Sequence, residues 1–90
     1  MKYPKGIKAV FDNGGKTVDR YTIVFPRIYD TNGTIIFYTA ICCASNVSVF
    51  YQHIGVMLGK NKKHLGVLIS WRALPKEIRE RANIERKDYA

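Results

Sequence analysis

Between positions 12 and 20 the chain reads Asp-Asn-Gly-Gly-Lys-Thr-Val-Asp-Arg. Asp12, Asn13, Lys16, Thr17, Asp19 and Arg20 thus place two carboxylates, an amide, a hydroxyl and two cations within nine residues. Two kinds of chemistry suit such a set. Held on a rigid sheet, Lys16, Arg20 and the backbone N–H groups would bind an anion. Alternatively, Asp19 would pair with Lys16 and Asp12 would cap the turn, making a network that satisfies itself. Gly15-Lys16-Thr17 also matches the end of the phosphate-binding signature G-x-x-x-x-G-K-[ST]. The match fails further back, because the first glycine would fall where Val10 stands. It fails further on too, because Val18 to Phe25 carry a strand pattern, not the helix whose N-terminus would hold phosphates. Asn13-Gly14-Gly15 reads as a turn, since asparagine and glycine tolerate left-handed backbone.

Gln52 and His53 are the next candidates. Gln52, with Asn13, could supply directional hydrogen bonds to a ligand, and a neutral His53 beside Asp12 or Asp19 could act as a general base. A packed or surface histidine is the plainer reading, because Ser45, Ser48 and Ser70 lack the context of an activated nucleophile. No metal or other cofactor is expected: the imidazoles are His53 and His64, and no C-x-x-C occurs. Cys42 and Cys43 are adjacent and would point to opposite faces of a strand, so they read as buried free thiols rather than a disulfide.

Charge adds a second theme. Residues 1–74 carry ten basic against three acidic side chains, which is +7 of the formal +8, so the positive field belongs to the body of the chain and not to its end. Such an excess suits nucleic acid, nucleotides or an acidic protein surface, although it also serves solubility alone. Lys16, Arg20, Arg27, Arg72, Lys60, Lys62, Lys63 and His64 are interleaved with Tyr21, Tyr29, Tyr38 and Tyr51. Cations near aromatic faces on a curved sheet fit single-stranded or loop nucleic acid, where bases stack and phosphates are neutralised. No RNP, KH or helix-turn-helix signature accompanies them.

The elements that must carry these groups follow from periodicity. Ninety residues, 47% of them hydrophobic, make one domain over 1–90 with a single core. Residues 6–11 read as a strand, and another begins at Arg20. Asn32-Gly33 is a hairpin turn that predicts opposed positions summing to 65, with Ile23 facing Cys42. Residues 34–43 are apolar on both faces and so form a central strand, whereas Pro26 requires a bulge or an edge in its partner. Segment 46–58 fits a short helix or ordered loop, with strand alternation also present at 47–51. Residues 65–71 read as a strand. A helix starts near Leu74-Pro75 with proline at its first position, burying Leu74, Ile78 and Ala82. The expected fold is α+β: a small curled antiparallel sheet of four to five strands, partly open and barrel-like, with a C-terminal helix packed on it.

The run Asp-Asn-Gly-Gly-Lys-Thr-x-Asp-Arg-Tyr-Thr-Ile-Val, then Gln52-His53, a late strand and Leu-Pro-x-x-Ile, resembles a family of small phage and plasmid proteins. The likeness covers most of residues 7–82 and is densest at 12–24 and at Leu74-Pro75. It implies a mobile-element origin and an intracellular setting, and it supplies no activity.

No stretch approaches the roughly 18 to 20 apolar residues that span a bilayer, and the first six residues lack the apolar block of a signal peptide. The expected setting is therefore the cytoplasm, that of the host if the protein is phage-encoded. The leading expectation is a non-enzymatic binding protein for nucleic acid or a nucleotide. Its alternatives are an anti-defence inhibitor that binds a host protein, and a small enzyme using His53 with a carboxylate.

Overall fold

A computed structural model describes residues 2–29, 37–44, 52–56 and 65–89. Five antiparallel strands, β1 (Ala9–Asp12), β2 (Tyr21–Tyr29), β3 (Phe37–Cys43), β4 (Gln52–Val56) and β5 (Val67–Leu68), form one open sheet in the order β4-β3-β2-β1-β5. Among the described residues one α-helix, α1 (Lys76–Glu85), packs on one face, as an α+β fold requires. One complete row crosses the sheet through Gln52, Cys42, Thr22, Phe11 and Leu68.

Where a single core was expected, the alternation of β2 and β3 supplies two clusters, one on each face of the sheet, because each strand is apolar on both faces. Tyr21, Ile23, Phe25, Ile41 and Cys43 point with Val10 toward Leu74, Ile78 and Ala82 of the helical segment. Val24 and Ala40 point the other way, to Ala9, Phe11 and Leu65. Burial on both sides confirms β3 as a central strand.

The register differs from the hairpin expectation. Ile23 faces Ile41, not Cys42, and pairs sum to 64 from Tyr21 to Val24 but to 66 at Ile28 and Tyr29. Between these runs Phe25, Pro26 and Arg27 oppose Thr39 alone, a bulge at the proline that has no N–H for the ladder. A one-residue slip exchanges faces. Here both faces are apolar, so the pattern could not choose between registers. The Asn32-Gly33 turn lies outside the described residues.

Four element expectations change. Residues 52–56 form strand β4 against β3, not helix or loop; the rest of 46–58 lies outside the described residues. The late strand contracts to Val67–Leu68, because Gly66 turns the chain into it and a 3₁₀ turn at Trp71–Ala73 follows. The first strand starts at Ala9, later than expected. Pro75 is the N-cap of α1 and not its first residue, with the Arg79 N–H donating to its carbonyl at 3.0 Å. Leu74, Ile78 and Ala82 are buried as their four-residue spacing predicts. After α1 the 3₁₀ turn Arg86–Tyr89 returns to the sheet, where Tyr89 stacks on Phe25 with centroids 4.2 Å apart. No helix among the described residues is long and apolar enough to cross a membrane.

Candidate functional site

The loop from β1 to β2 is organised by two side chains. Asp12 Oδ1 accepts from the Gly14 N–H at 2.7 Å, and Asn13 Oδ1 accepts from the N–H groups of Gly15 and Lys16 at 2.9 and 3.1 Å. Asn13 Nδ2 donates onward to Thr17 Oγ1 at 2.8 Å and to the Asp19 carbonyl at 3.0 Å. Asp12-Asn13 before Gly14-Gly15 is the sequence of such side-chain turns. The amides of Gly14, Gly15 and Lys16, which could have formed an anion cradle, are thus bonded within the loop.

The loop's ion pair is Asp12 with Arg20, where the expected network paired Asp19 with Lys16. Arg20 Nε and Nη2 donate to the two Asp12 carboxylate oxygens at 2.8 and 3.1 Å. The pairing follows from register: Asp12 faces Tyr21, so Arg20 stands across the ladder at the end where the loop joins the two strands. Arg20 holds the Asp12 carboxyl below the ordinary carboxylate value, with burial opposing and the Gly14 N–H assisting. Asp19 contributes its backbone carbonyl to the network, and Lys16 is exposed.

The other sequence candidates are spread over the sheet. Gln52 lies at the same end as the 12–20 loop, in the row of Cys42, Thr22 and Phe11. His53 follows in the row of Ile41, Ile23 and Val10. Three strand spacings separate the backbones of His53 and β1, about 14 Å, wider than a hydrogen-bonded acid–base pair spans. Arg27 stands at the opposite end, its guanidinium 4.6 Å from the Tyr89 ring centroid and its Nη2 donating to the Asp88 carbonyl at 3.2 Å. Lys60, Lys62, Lys63 and His64 lie outside the described residues; Gly66, two residues on from His64, lies hard against the backbone of Asp12 and Asn13.

A second constellation was not visible as a motif. An open cleft of about 500 Å³ lies where the N-terminal segment, the 3₁₀ turn Trp71–Ala73 and the end of α1 meet. Lys2, Arg72 and Arg86 line it with Tyr3, Trp71 and Asn83, and among the described residues no carboxylate is in its wall. Its frame is fixed by three hydrogen bonds. Tyr3 Oη donates to the Ile69 carbonyl at 2.6 Å, Arg86 Nη1 to the Lys5 carbonyl at 2.8 Å, and Arg86 Nε to Asn83 Oδ1 at 2.7 Å. The Arg86 acceptors are neutral, so they orient the guanidinium without cancelling its charge. Burial also pushes the Tyr3 phenol up, keeping it protonated as a donor. Arg72 was legible as one of several cations. The signal for its neighbours was Ser-Trp-Arg, which holds the chain's single tryptophan beside a cation.

Among the described residues, no three His, Cys, Asp or Glu side chains gather in a way that could hold a metal ion. Comparison with protein-family models, with curated proteins and with solved structures finds no match, so geometry and charge alone carry the functional reading.

Proposed function

We propose that the protein is a non-enzymatic binding module for an anionic ligand, nucleic acid or a nucleotide. One observation carries this reading. Residues 2–29 hold six cations against two carboxylates, and one of those two, Asp12, is bound to Arg20. That pairing neutralises one acid and one cation together, which leaves five cations against Asp19 alone, and Lys2, Lys5, Lys8 and Lys16 among them are exposed. Exposed ammonium groups flanking a folded sheet suit a polyanion, because each phosphate contact releases condensed counterions. Lys8 also lies 4.7 Å from the Tyr38 ring centroid, a cation beside an aromatic ring of the kind single strands use.

Binding of labelled single-stranded RNA and DNA, measured by fluorescence anisotropy across a salt series, tests the reading. The expected result is measurable affinity at low salt and a linear fall of log K with log salt, its slope giving the number of phosphates neutralised. Absence of binding at low salt to RNA, DNA and mononucleotides alike would dismiss it.

A further inference from the structure

The cleft between the N-terminal segment and the end of α1 combines three features that the rest of the described surface does not unite. Its volume, about 500 Å³, falls within the range of roughly 300 to 1,000 Å³ typical of small-ligand sites. Three cations, Lys2, Arg72 and Arg86, line it, with no carboxylate among the described lining residues. Two aromatic side chains, Tyr3 and Trp71, stand in the same wall, each partly buried against the core and therefore held in place. Its polar frame is preset, because the bonds of Arg86 to Asn83 and to the Lys5 carbonyl fix the guanidinium before any ligand arrives.

We propose that this cleft takes one phosphorylated nucleotide unit, its phosphate against Lys2, Arg72 and Arg86 and its base against Trp71 and Tyr3. The assignment rests on the anion-binding reading above and gives it a location. Cations alone would hold inorganic phosphate as well as any nucleotide. The aromatic wall is what makes a nucleotide the better occupant, since every base presents a face to stack and an inorganic anion does not. The fork of Arg72, exposed at the rim, matches a phosphate in a two-toothed contact. The 12–20 loop shares no lining residue with the cleft.

Trp71, as the chain's sole tryptophan, reports on the cleft directly. Its emission is followed while the full chain is titrated with a twelve-residue oligothymidylate, with adenosine monophosphate and with inorganic phosphate. Anisotropy of the labelled oligonucleotide records total binding in parallel. The expected result is saturable quenching by the oligonucleotide, weakened about tenfold in Arg72→Gln and Lys2→Gln, with a salt slope lower by about one in each. Lys76→Gln, which removes the same charge outside the cleft, is expected to stay within about twofold of the parent. Quenching by the mononucleotide as well assigns a free nucleotide as a sufficient ligand; quenching by the oligonucleotide alone assigns a unit within a strand. Equal quenching by inorganic phosphate overturns the nucleotide assignment. Oligonucleotide binding with unchanged Trp71 emission, and equal effects of Arg72→Gln and Lys76→Gln, overturns the cleft while leaving the anion-binding reading intact. No binding in either readout at low salt overturns both.

Discussion

Arg20 grips both carboxylate oxygens of Asp12, at 2.8 and 3.1 Å, across the loop end of the β1–β2 ladder. The pair holds the Asp12 carboxyl below its ordinary value, chiefly through the Arg20 hydrogen bond. A carboxylate whose folded value is depressed contributes stability above its unfolded value, near pH 4, and loses that contribution as pH falls through the folded value. Arg20→Gln should therefore be less stable than the parent at pH 5–7, and the gap should close as pH falls below the ordinary carboxylate value and through the lower folded one. The difference should be small, because the Arg20 side chain is 35% exposed and solvent screens it. Urea midpoints by circular dichroism between pH 2 and 7 measure it. A difference independent of pH would show that Arg20 acts by packing and not by charge.

The helix stripe makes a sharper contrast. Leu74 and Ile78 are 2% and 0% exposed on the sheet side of the C-terminal segment, whereas Ile84 is 67% exposed. Truncating either buried residue to alanine should cost about 2 to 5 kcal/mol, because the neighbouring Ile23, Ile41 and Phe25 cannot all collapse into the space. Ile84→Ala should stay within about 0.5 kcal/mol of the parent. Chemical denaturation of the three variants checks both figures. A large loss at Ile84 would mean that its face is covered in solution.

Cys42 and Cys43 flank the central strand's two cores, at 8% and 2% exposure. Burial pushes the Cys43 thiol up to about 12, and it raises Cys42 too, offset by the Thr22 hydroxyl. Since the thiolate is the reactive form, neither should react with a disulfide reagent at pH 8 in the folded protein, and both should react once denaturant is added. Prompt native-state labelling of Cys43 would mean that the helix lifts from its face.

Much of the fold was legible because the relevant signals were local. The Leu74, Ile78 and Ala82 spacing marked the helix face, Pro26 marked the bulge, and the doubly apolar β3 marked its central place. The β2–β3 register was not legible, since a pattern apolar on both faces fits two registers equally. Strand β4 was not legible for a related reason: Gln-His-Ile-Gly-Val is too short for periodicity to separate strand from helix. The 12–20 loop was visible as a crowd of functional groups, but the partner of Asp12 depended on which residue the ladder placed opposite it. The cleft was hidden altogether, because residues 2–3, 71–72 and 83–86 meet only through tertiary packing.

That dependence on close packing gives the most demanding prediction. Gly66 has a φ of 90°, and a methyl group there would land on the Asp12 carbonyl and the Asn13 Cα, both backbone atoms without freedom to yield. Gly14, in the neighbouring turn, has a φ of 75° but open space around the same position. Both would bear the left-handed strain of alanine, about 1 to 2 kcal/mol, and Gly66 alone would add the overlap. Gly66→Ala should therefore lose clearly more stability than Gly14→Ala, and the excess should come with disturbance of the Asp12 corner. Amide exchange of Gly14, Gly15 and Lys16, whose N–H groups bond to Asp12 and Asn13, reads that disturbance directly. Faster exchange at these three amides in Gly66→Ala, beyond the fall in global stability, is the expected outcome. Equal stability losses in the two variants would show that the chain leaving Leu65 does not press on β1, and the placement of β5 beside it would have to be redrawn.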